Sequence, residues 1–354
     1  MNIKRQMLSY GGVNMINASI PFLLLPLMTS YLTPSDYGIF ALVQLLMTIS
    51  LPLVMFNTQG LIKIDYTKFD FIELQSFIST IIWIPIYGTI FLEFLFYVFE
   101  DYIIQYFNIP SEYIFYIPAF VLAQAIPTIV LIIFQAKKEP LNYGKYKVSM
   151  TLMNLLFSLL LIVVIGYGWV GRLYGIVGSF VMFTFIGIII LYRLNLLKFK
   201  FNSTFLKEAF KFGIPYIPHT IAGVFLAMSN RLFLSNMIDN EAVGIYSVAF
   251  QVASVITIVV GSINQAWAPH LYEKLNNNPT LNQKKHIVKQ TYKIMFLMSI
   301  LTIVFIVISS FVYDLFIDHK YSEGKDLIFF LSLALLFQGF YFMVTNYILY
   351  SKKT

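Results

Sequence analysis

Residues 7–58 read MLSYGGVNMINASIPFLLLPLMTSYLTPSDYGIFALVQLLMTISLPLVMFNT. Two apolar runs, Met7–Tyr31 and Tyr37–Thr58, are separated only by the short turn LTPSD. A hydrocarbon layer about 30 Å thick takes about 20 apolar residues per helical span, so each run is long enough to cross it. A first run this long, so closely followed by a second, is a retained helix rather than a cleaved leader. Working outward, eight more runs follow: Phe77–Phe99, Tyr113–Phe134, Val148–Gly166, Leu173–Leu191, Gly213–Met237, Val243–Ile263, Ile294–Phe316 and Leu327–Tyr350. The whole chain of 354 residues agrees: 58% are hydrophobic, 12% are charged and the mean hydropathy is +0.76. That balance excludes a soluble protein. The expected fold is an all-α integral membrane bundle of about ten transmembrane helices.

The net charge of +7 does not imply nucleic acid, because the basic residues fall in short runs between spans rather than on one continuous face. Lys and Arg are retained on the cytoplasmic side during insertion. With Lys4 and Arg5 inside, twenty basic residues fall on the inner side and three, Arg172, Lys320 and Lys325, on the outer. Arg231 alone falls within a span. Acidic residues lean the other way, with Asp36, Glu100, Asp101, Asp239 and Asp318 among those outside. Both termini are therefore expected to be cytoplasmic, in a multi-pass membrane protein. The chain has no cysteine, so disulfides, thiolate metal sites and cysteine nucleophiles are excluded.

Three inner connections stand out. Residues 195–212 could form an amphipathic helix starting near Ser203 and lying along lipid head groups, or a plain solvated linker. Residues 266–293 carry Lys274, Lys284, Lys285, Lys289 and Lys293, and a third cluster holds Lys137, Lys138, Lys145 and Lys147; topology or contact with anionic lipid explains either.

The segment YGGVN…TPSDYGIFALVQ, residues 10–44, recurs loosely as FGIPY…IDNEAVGIYSVAFQ, residues 212–251. Gly11 pairs with Gly213 and Gly38 with Gly244. Six spans separate the copies, so both insert the same way. Two lobes follow: residues 1–200 with six helices, and 201–354 with four, a lobe that reads as lacking two helices. In that reading the chain stops early.

Polar groups on one helical face inside a membrane look toward protein or water. Tyr10, Asn14, Asn17 and Pro21 share a face of the first span, and Ser247, Gln251, Ser254, Gly261 and Gln265, with Asn264 beside them, share one of the eighth. Helix packing and a hydrated substrate path explain these stripes equally well. Pro21 and Pro26, and Pro215 and Pro218, remove backbone donors at matching places in the two copies and are candidate hinges, the alternative being static kinks. Arg231, beside Asn230, is a candidate phosphate ligand, or else reaches outward to the interface. Glu93 and His219 are candidate ion-coupling groups, with ordinary structural roles as the alternative. Gly171, Gly175 and Ser179 form a small-residue packing ridge. His270, His286 and His319 lie in connections without ligand spacing, so no metal is expected. No Walker loop, dinucleotide turn or catalytic triad occurs, so neither a cofactor nor an enzyme activity is expected.

The segments LTPSDYGIFALVQ, FQAKKEPLNYGKYKV, GYGWVGRLYGIVGS and FGIPYIPH…NRLFLSNMIDNEAVGIYSVAFQV, in that order, resemble the polysaccharide or O-antigen flippases, the Wzx type, of the MATE-like superfamily of multidrug, oligosaccharidyl-lipid and polysaccharide exporters. The resemblance runs from about residue 5 to the end. It implies two lobes facing a central cavity, alternating access, and transfer of an undecaprenyl-diphosphate-linked oligosaccharide, an O-antigen or capsule unit, to the outer leaflet. It also implies membrane lipids, and a polysaccharide polymerase and chain-length proteins, as partners. The sequence departs from the pattern in having Asn230 where an acidic residue often precedes the arginine of the seventh helix. Other readings are a MATE-type small-molecule exporter, an inactive truncated flippase, and a membrane glycan polymerase or ligase, which usually has a larger outer loop.

Overall fold

The computed structural model describes residues 3–66, 68–198, 201–277 and 279–351, and of these all side chains except those of residues 3–11 and 14. The described chain is built of helices: α1 (Ile3–Tyr31), α2 (Pro34–Met55), α3 (Thr58–Asp65), α4 (Phe71–Ile81), α5 (Ile84–Val98), α6 (Glu100–Phe107), α7 (Ile117–Ala136), α8 (Pro140–Leu159), α9 (Gly168–Arg193), α10 (Ser203–Met237), α11 (Asn240–Ala253), α12 (Val255–Asn276), α13 (Leu281–Phe316) and α14 (Gly324–Ser351). Among the described residues nine helical stretches are long and apolar enough to cross a membrane, and Met15–Tyr31 is the described apolar part of a tenth. The protein is an all-helical, multi-pass membrane protein.

Local chemistry sets the helix ends. Thr33 accepts a hydrogen bond from the Asp36 amide while the Asp36 carboxylate accepts from the Thr33 amide, a capping box with Pro34 at the first helical position. Thr280 and Gln283 form a second such box at α13, and Asp70 and Asn202 cap α4 and α10. α2 ends in two successive left-handed residues, Phe56 (φ 45°) and Asn57 (φ 52°).

Several spans differ from the hydropathy runs. The third is two helices, α4 and α5, interrupted near Trp83 where Pro85 enters α5. The eighth is likewise split at Ser254, whose hydroxyl turns back to the Gln251 carbonyl (2.6 Å). Ser247 and Gln251 thus precede Ser254, and Gly261 and Gln265 follow it. The amphipathic segment starting at Ser203 is not a separate interfacial helix: it runs without a break into the seventh span as the 35-residue α10, with Pro215 and Pro218 inside it. Arg172 lies not in a loop but inside α9, which starts at Gly168.

Packing divides the chain into two compact units, one reaching Leu24 and resuming from Tyr31 to Gly244, the other holding Leu25–Ser30 and Ile245 onward. In the first, α2 and α7 carry long rows of buried residues, and Met55, Ile62, Phe77, Ile81, Ala125, Ile129, Ile133 and Phe183 belong to its core. In the second, Ile256, Val260, Trp267, Leu271, Met298, Leu336 and Met343 pack together from α12, α13 and α14.

Candidate functional site

Within the first unit, the repeat-paired glycines Gly38 on α2 and Gly244 on α11 come together. A Cβ at Gly38 would fall on the Asn240 carbonyl, and one at Gly244 on the Pro34 carbonyl. Pro34 stands four residues before Gly38, as Asn240 stands four before Gly244, so the contact is reciprocal. Only glycine lets two backbones approach this closely. Beside the crossing, the Asn108 amide donates to the Ser235 carbonyl and hydroxyl (both 2.9 Å), Ser235 donates to Asn240 Oδ1 (2.9 Å), and Asn240 Nδ2 donates to the Asn108 carbonyl (3.0 Å). This network fixes the far end of α10 to the end of α6, where Asn108 is left-handed.

Arg231 lies one helical turn before Ser235 and is 8% exposed. Its neighbour Asn230 is exposed, so the two side chains leave α10 in different directions rather than sharing one face. Tyr37, next to Gly38, lies within electrostatic range of Arg231 and also of Arg172. Arg172 is 8% exposed. Its Nη1 donates to Asn154 Oδ1 (2.5 Å) and Ser158 Oγ (2.6 Å) of α8, and its guanidinium lies over the Phe40 ring at 5.6 Å. Arg172 is thus a second buried cation on a helix, in the opening turns of α9. Hydropathy alone placed Arg172 outside because the apolar run starts at Leu173, directly after it.

The remaining candidates are dispersed. Asn17 is half-buried and accepts from Thr151 Oγ1 (2.5 Å), which ties α1 to α8. The side chains of Tyr10 and Asn14, and the surroundings of Gly11, lie outside what is described. Glu93 is half-buried on α5, and His219 is exposed, its ring 5.1 Å from that of Tyr216. In the second unit Gln251 is half-buried and Gln265 exposed. Asn264 accepts from Asn346 Nδ2 (2.8 Å), and Tyr272 donates to Asn346 Oδ1 at 3.4 Å. Asn346 is 5% exposed and was not singled out by the sequence pattern. The carbonyl of Pro26 accepts from Thr29 and Ser30 (3.0 and 2.9 Å), and Thr220 donates to the Tyr216 carbonyl between Pro215 and Pro218 (3.1 Å). Hydroxyls bonded back into the helix in this way bend it. Pro52, Pro127 and Pro269 also lie inside helices. Gly175 packs against Ser158, so the small-residue ridge of α9 serves helix contact. Among the described residues no group of three histidine or acidic side chains could hold a metal.

Outside the spans, Lys137 and Glu139 pair at 2.8 Å, and Asn142 donates to Glu139 (2.9 Å). Burial pushes the Glu139 carboxyl up, but those hydrogen bonds and the lysine charge outweigh it and hold it below its ordinary value.

The chain resembles two curated proteins of Haemophilus influenzae. One, a "Lsg locus putative protein 1", is 25% identical over 280 residues, covering 77% of this chain and 65% of the relative. The other, an "uncharacterized membrane protein", is 26% identical over 254 residues, covering 69% and 61%. The chain thus spans less than two thirds of the length of either. Among solved structures, a multidrug resistance MATE family transporter in an inward-facing conformation matches with a TM-score of 0.72 at 13% identity, covering 94% of this chain and 80% of the other. The Vibrio cholerae MATE transporter VcmN in its bent form matches at 0.58 and 12%, covering 97% and 83%. These likenesses establish the fold. The family model for polysaccharide biosynthesis proteins matches residues 3–274, and the chain therefore belongs to that family, on a MATE transporter fold.

Proposed function

We propose that this protein moves a lipid-diphosphate-linked oligosaccharide from the cytoplasmic to the outer leaflet of a bacterial inner membrane. The repeat-based lobes, residues 1–200 and 201–354, rock about the proline-bearing helices α1 and α10. Both termini are cytoplasmic in this reading, which puts the Tyr37 ends of α2 and α9 at the outer face. The observation that carries the proposal is Arg231, a cation buried on a membrane helix in a member of a polysaccharide biosynthesis family. A buried charge is costly in a bilayer and is kept where function needs it. Its planar fork suits a phosphate oxygen pair, so the diphosphate is its natural ligand. Asn14, Asn17, Asn230, Gln251, Asn264 and Gln265 would meet the sugar. Glu93 and His219 are the groups through which an ion could be coupled.

Expression of the chain in a flippase-null strain tests this. Surface polysaccharide should return, and lipid-linked precursor should cease to accumulate in the inner leaflet. Arg231→Ala should abolish the rescue at unchanged protein level, and unimpaired rescue by that variant would remove the assigned role. A second reading, export of small molecules, is favoured by the multidrug resistance named for a solved relative. It predicts that deleting the gene raises drug susceptibility with surface glycan intact.

A further inference from the structure

The lysine-bearing connection between α12 and α13 holds an open-mouthed cavity of about 420 Å³, lined by Lys274, Asn277, Asn282, Gln283 and His286 around the buried Ile287. That volume is in the range of small-molecule sites, about 300–1,000 Å³. Its polar groups are donors. Lys274 Nζ donates to Gln290 Oε1 (2.7 Å), which ties α12 to α13 and fixes the ammonium, but the acceptor is neutral. Gln283 spends its Oε1 on the Thr280 amide (2.8 Å), which leaves Nε2 to donate. The side chains of Asn277, Asn282 and His286 have no hydrogen-bond partner among the described residues. No carboxylate lines the cavity: Glu273, next to Lys274 in the chain, is exposed and stands outside it, and the ion pairs among the described residues, Lys68–Asp65, Lys137–Glu139 and Lys325–Asp314, lie elsewhere. The positive end of the 36-residue α13 adds to the charge. Lys289 and Lys293, both exposed, continue the edge of α13 that carries Asn282 and His286, at a 4, 3, 4 spacing.

A fixed ammonium among neutral N–H donors suits a phosphate group, and amides, which also accept, suit hydroxyls beside it. Depth decides where that phosphate comes from. The apolar run of α13 begins at Ile294, and His286 and Asn282 stand eight and twelve residues before it. At about 1.5 Å per residue they lie about 12 and 18 Å along the helix from the hydrocarbon edge, whereas a head-group layer is about 5–8 Å thick. The cavity is therefore in water, beyond the lipid phosphates. We propose that it binds a water-soluble molecule carrying a phosphate group and hydroxyls, of the glycerol phosphate or sugar phosphate class, and that the bound molecule ties the end of α12 to the start of α13. This site stands independently of the flippase reading.

The test uses the purified 354-residue chain in phosphatidylcholine nanodiscs, titrated by calorimetry with glycerol 3-phosphate and, as a control, with glycerol. The phosphate should bind saturably and raise the unfolding temperature with concentration, and glycerol should do neither. Lys274→Gln should weaken binding by about tenfold or more, the loss of one charge-assisted contact. Asn282→Asp places a carboxylate in the cavity from the first turn of α13, where negative charge favours the helix. That variant should be at least as stable as the unsubstituted chain and yet bind about tenfold more weakly or worse. Lys284→Gln removes an exposed charge that does not line the cavity, and should change affinity by less than about twofold. Absence of binding to glycerol 3-phosphate, or equal losses from Lys274→Gln and Lys284→Gln, overturns the site. So does stabilisation that appears only when phosphatidylglycerol is built into the nanodisc, because the phosphate would then be a lipid's.

Discussion

The helix α2 is met closely near both of its ends, by α10 at one and by the start of α11 at the other, and the two meetings are built alike but charged differently. At one end Gly213 of α10 lies against the Phe56 carbonyl, and the Phe56 and Phe210 rings touch edge to face at 5.0 Å. That end is aromatic and neutral. At the other, Gly38 of α2 meets the Asn240 carbonyl, and the buried Arg231 lies one turn before Ser235, whose hydroxyl donates to Asn240 Oδ1. Glycine supplies close approach at each end, so tight packing by itself does not mark the functional one. Charge does. Buried cations are expensive to keep and packing alone does not need them.

Substituting valine for glycine at each end breaks the symmetry of the comparison. Gly38→Val and Gly213→Val both place a side chain on a partner carbonyl, and overpacking of this kind costs about 1–3 kcal/mol or more. Both should lower the thermal stability of the purified protein. Only Gly38→Val disturbs the crossing next to Arg231, so it should lower rescue of the flippase-null strain by about tenfold or more, and Gly213→Val by less than about threefold; tenfold is the loss of roughly one charge-assisted contact. Equal losses at the two ends would erase the distinction. Gly244→Val should reproduce the effect of Gly38→Val, since its Cβ meets the Pro34 carbonyl on the other side of the same contact.

The spans were legible in the sequence because bilayer thickness converts directly into a length of apolar chain. The repeat was legible too, and it paired Gly38 with Gly244 as equivalent positions. Equivalence does not state proximity, however, and only the fold shows that these glycines touch. Arg172 was missed for a related reason: a hydropathy reading starts a span where apolar residues start. This helix begins earlier, at Gly168, where two positive-φ glycines, Gly166 (φ 78°) and Gly168 (φ 55°), turn the chain. The glycine spacing in GYGWVGR was the available signal. The break at Ser254 was hidden because residue spacing along a stripe is the same whether or not the backbone pauses. Asn346 gave no signal, being a lone amide in an apolar run whose partner, Asn264, lies 82 residues away in the chain.

The neutral end can be sharpened by a smaller change at the left-handed pair that closes α2. Asn57 is 3% exposed, takes φ 52°, and its Nδ2 has no partner. An orphaned buried donor costs about 1–3 kcal/mol, and a left-handed non-glycine residue adds about 1 kcal/mol or more. Asn57→Gly should therefore hold or raise stability, although the loss of the Gln59 Nε2 bond to Asn57 Oδ1 (3.3 Å) offsets part of the gain. Asn57→Val should lower it by about 2 kcal/mol, because a β-branched side chain is disfavoured at positive φ. Thermal unfolding of the two variants separates them. Neither should alter rescue of the flippase-null strain at matched protein level, and a change in it would mean that the two ends of α2 are coupled.

The smallest expected effect lies at the turn joining α7 to α8. Glu139 accepts from Lys137 and Asn142, and its folded carboxyl titrates below its ordinary value of 4.5. A group whose folded pKa is depressed adds stability above its unfolded pKa. That contribution is complete at neutral pH and is lost on acidification, from near 4.5 down through the lower folded value. Its size is modest: the Lys137 and Glu139 side chains are 26% and 31% exposed, and partly exposed pairs are worth no more than about 1 kcal/mol after screening. Glu139→Gln should therefore lower the unfolding temperature slightly at pH 7 and hardly at all at pH 3, with the gap narrowing as salt is raised. A gap of the same size at both pH values would show that Glu139 acts through neutral contacts such as that with Asn142, and not through its charge.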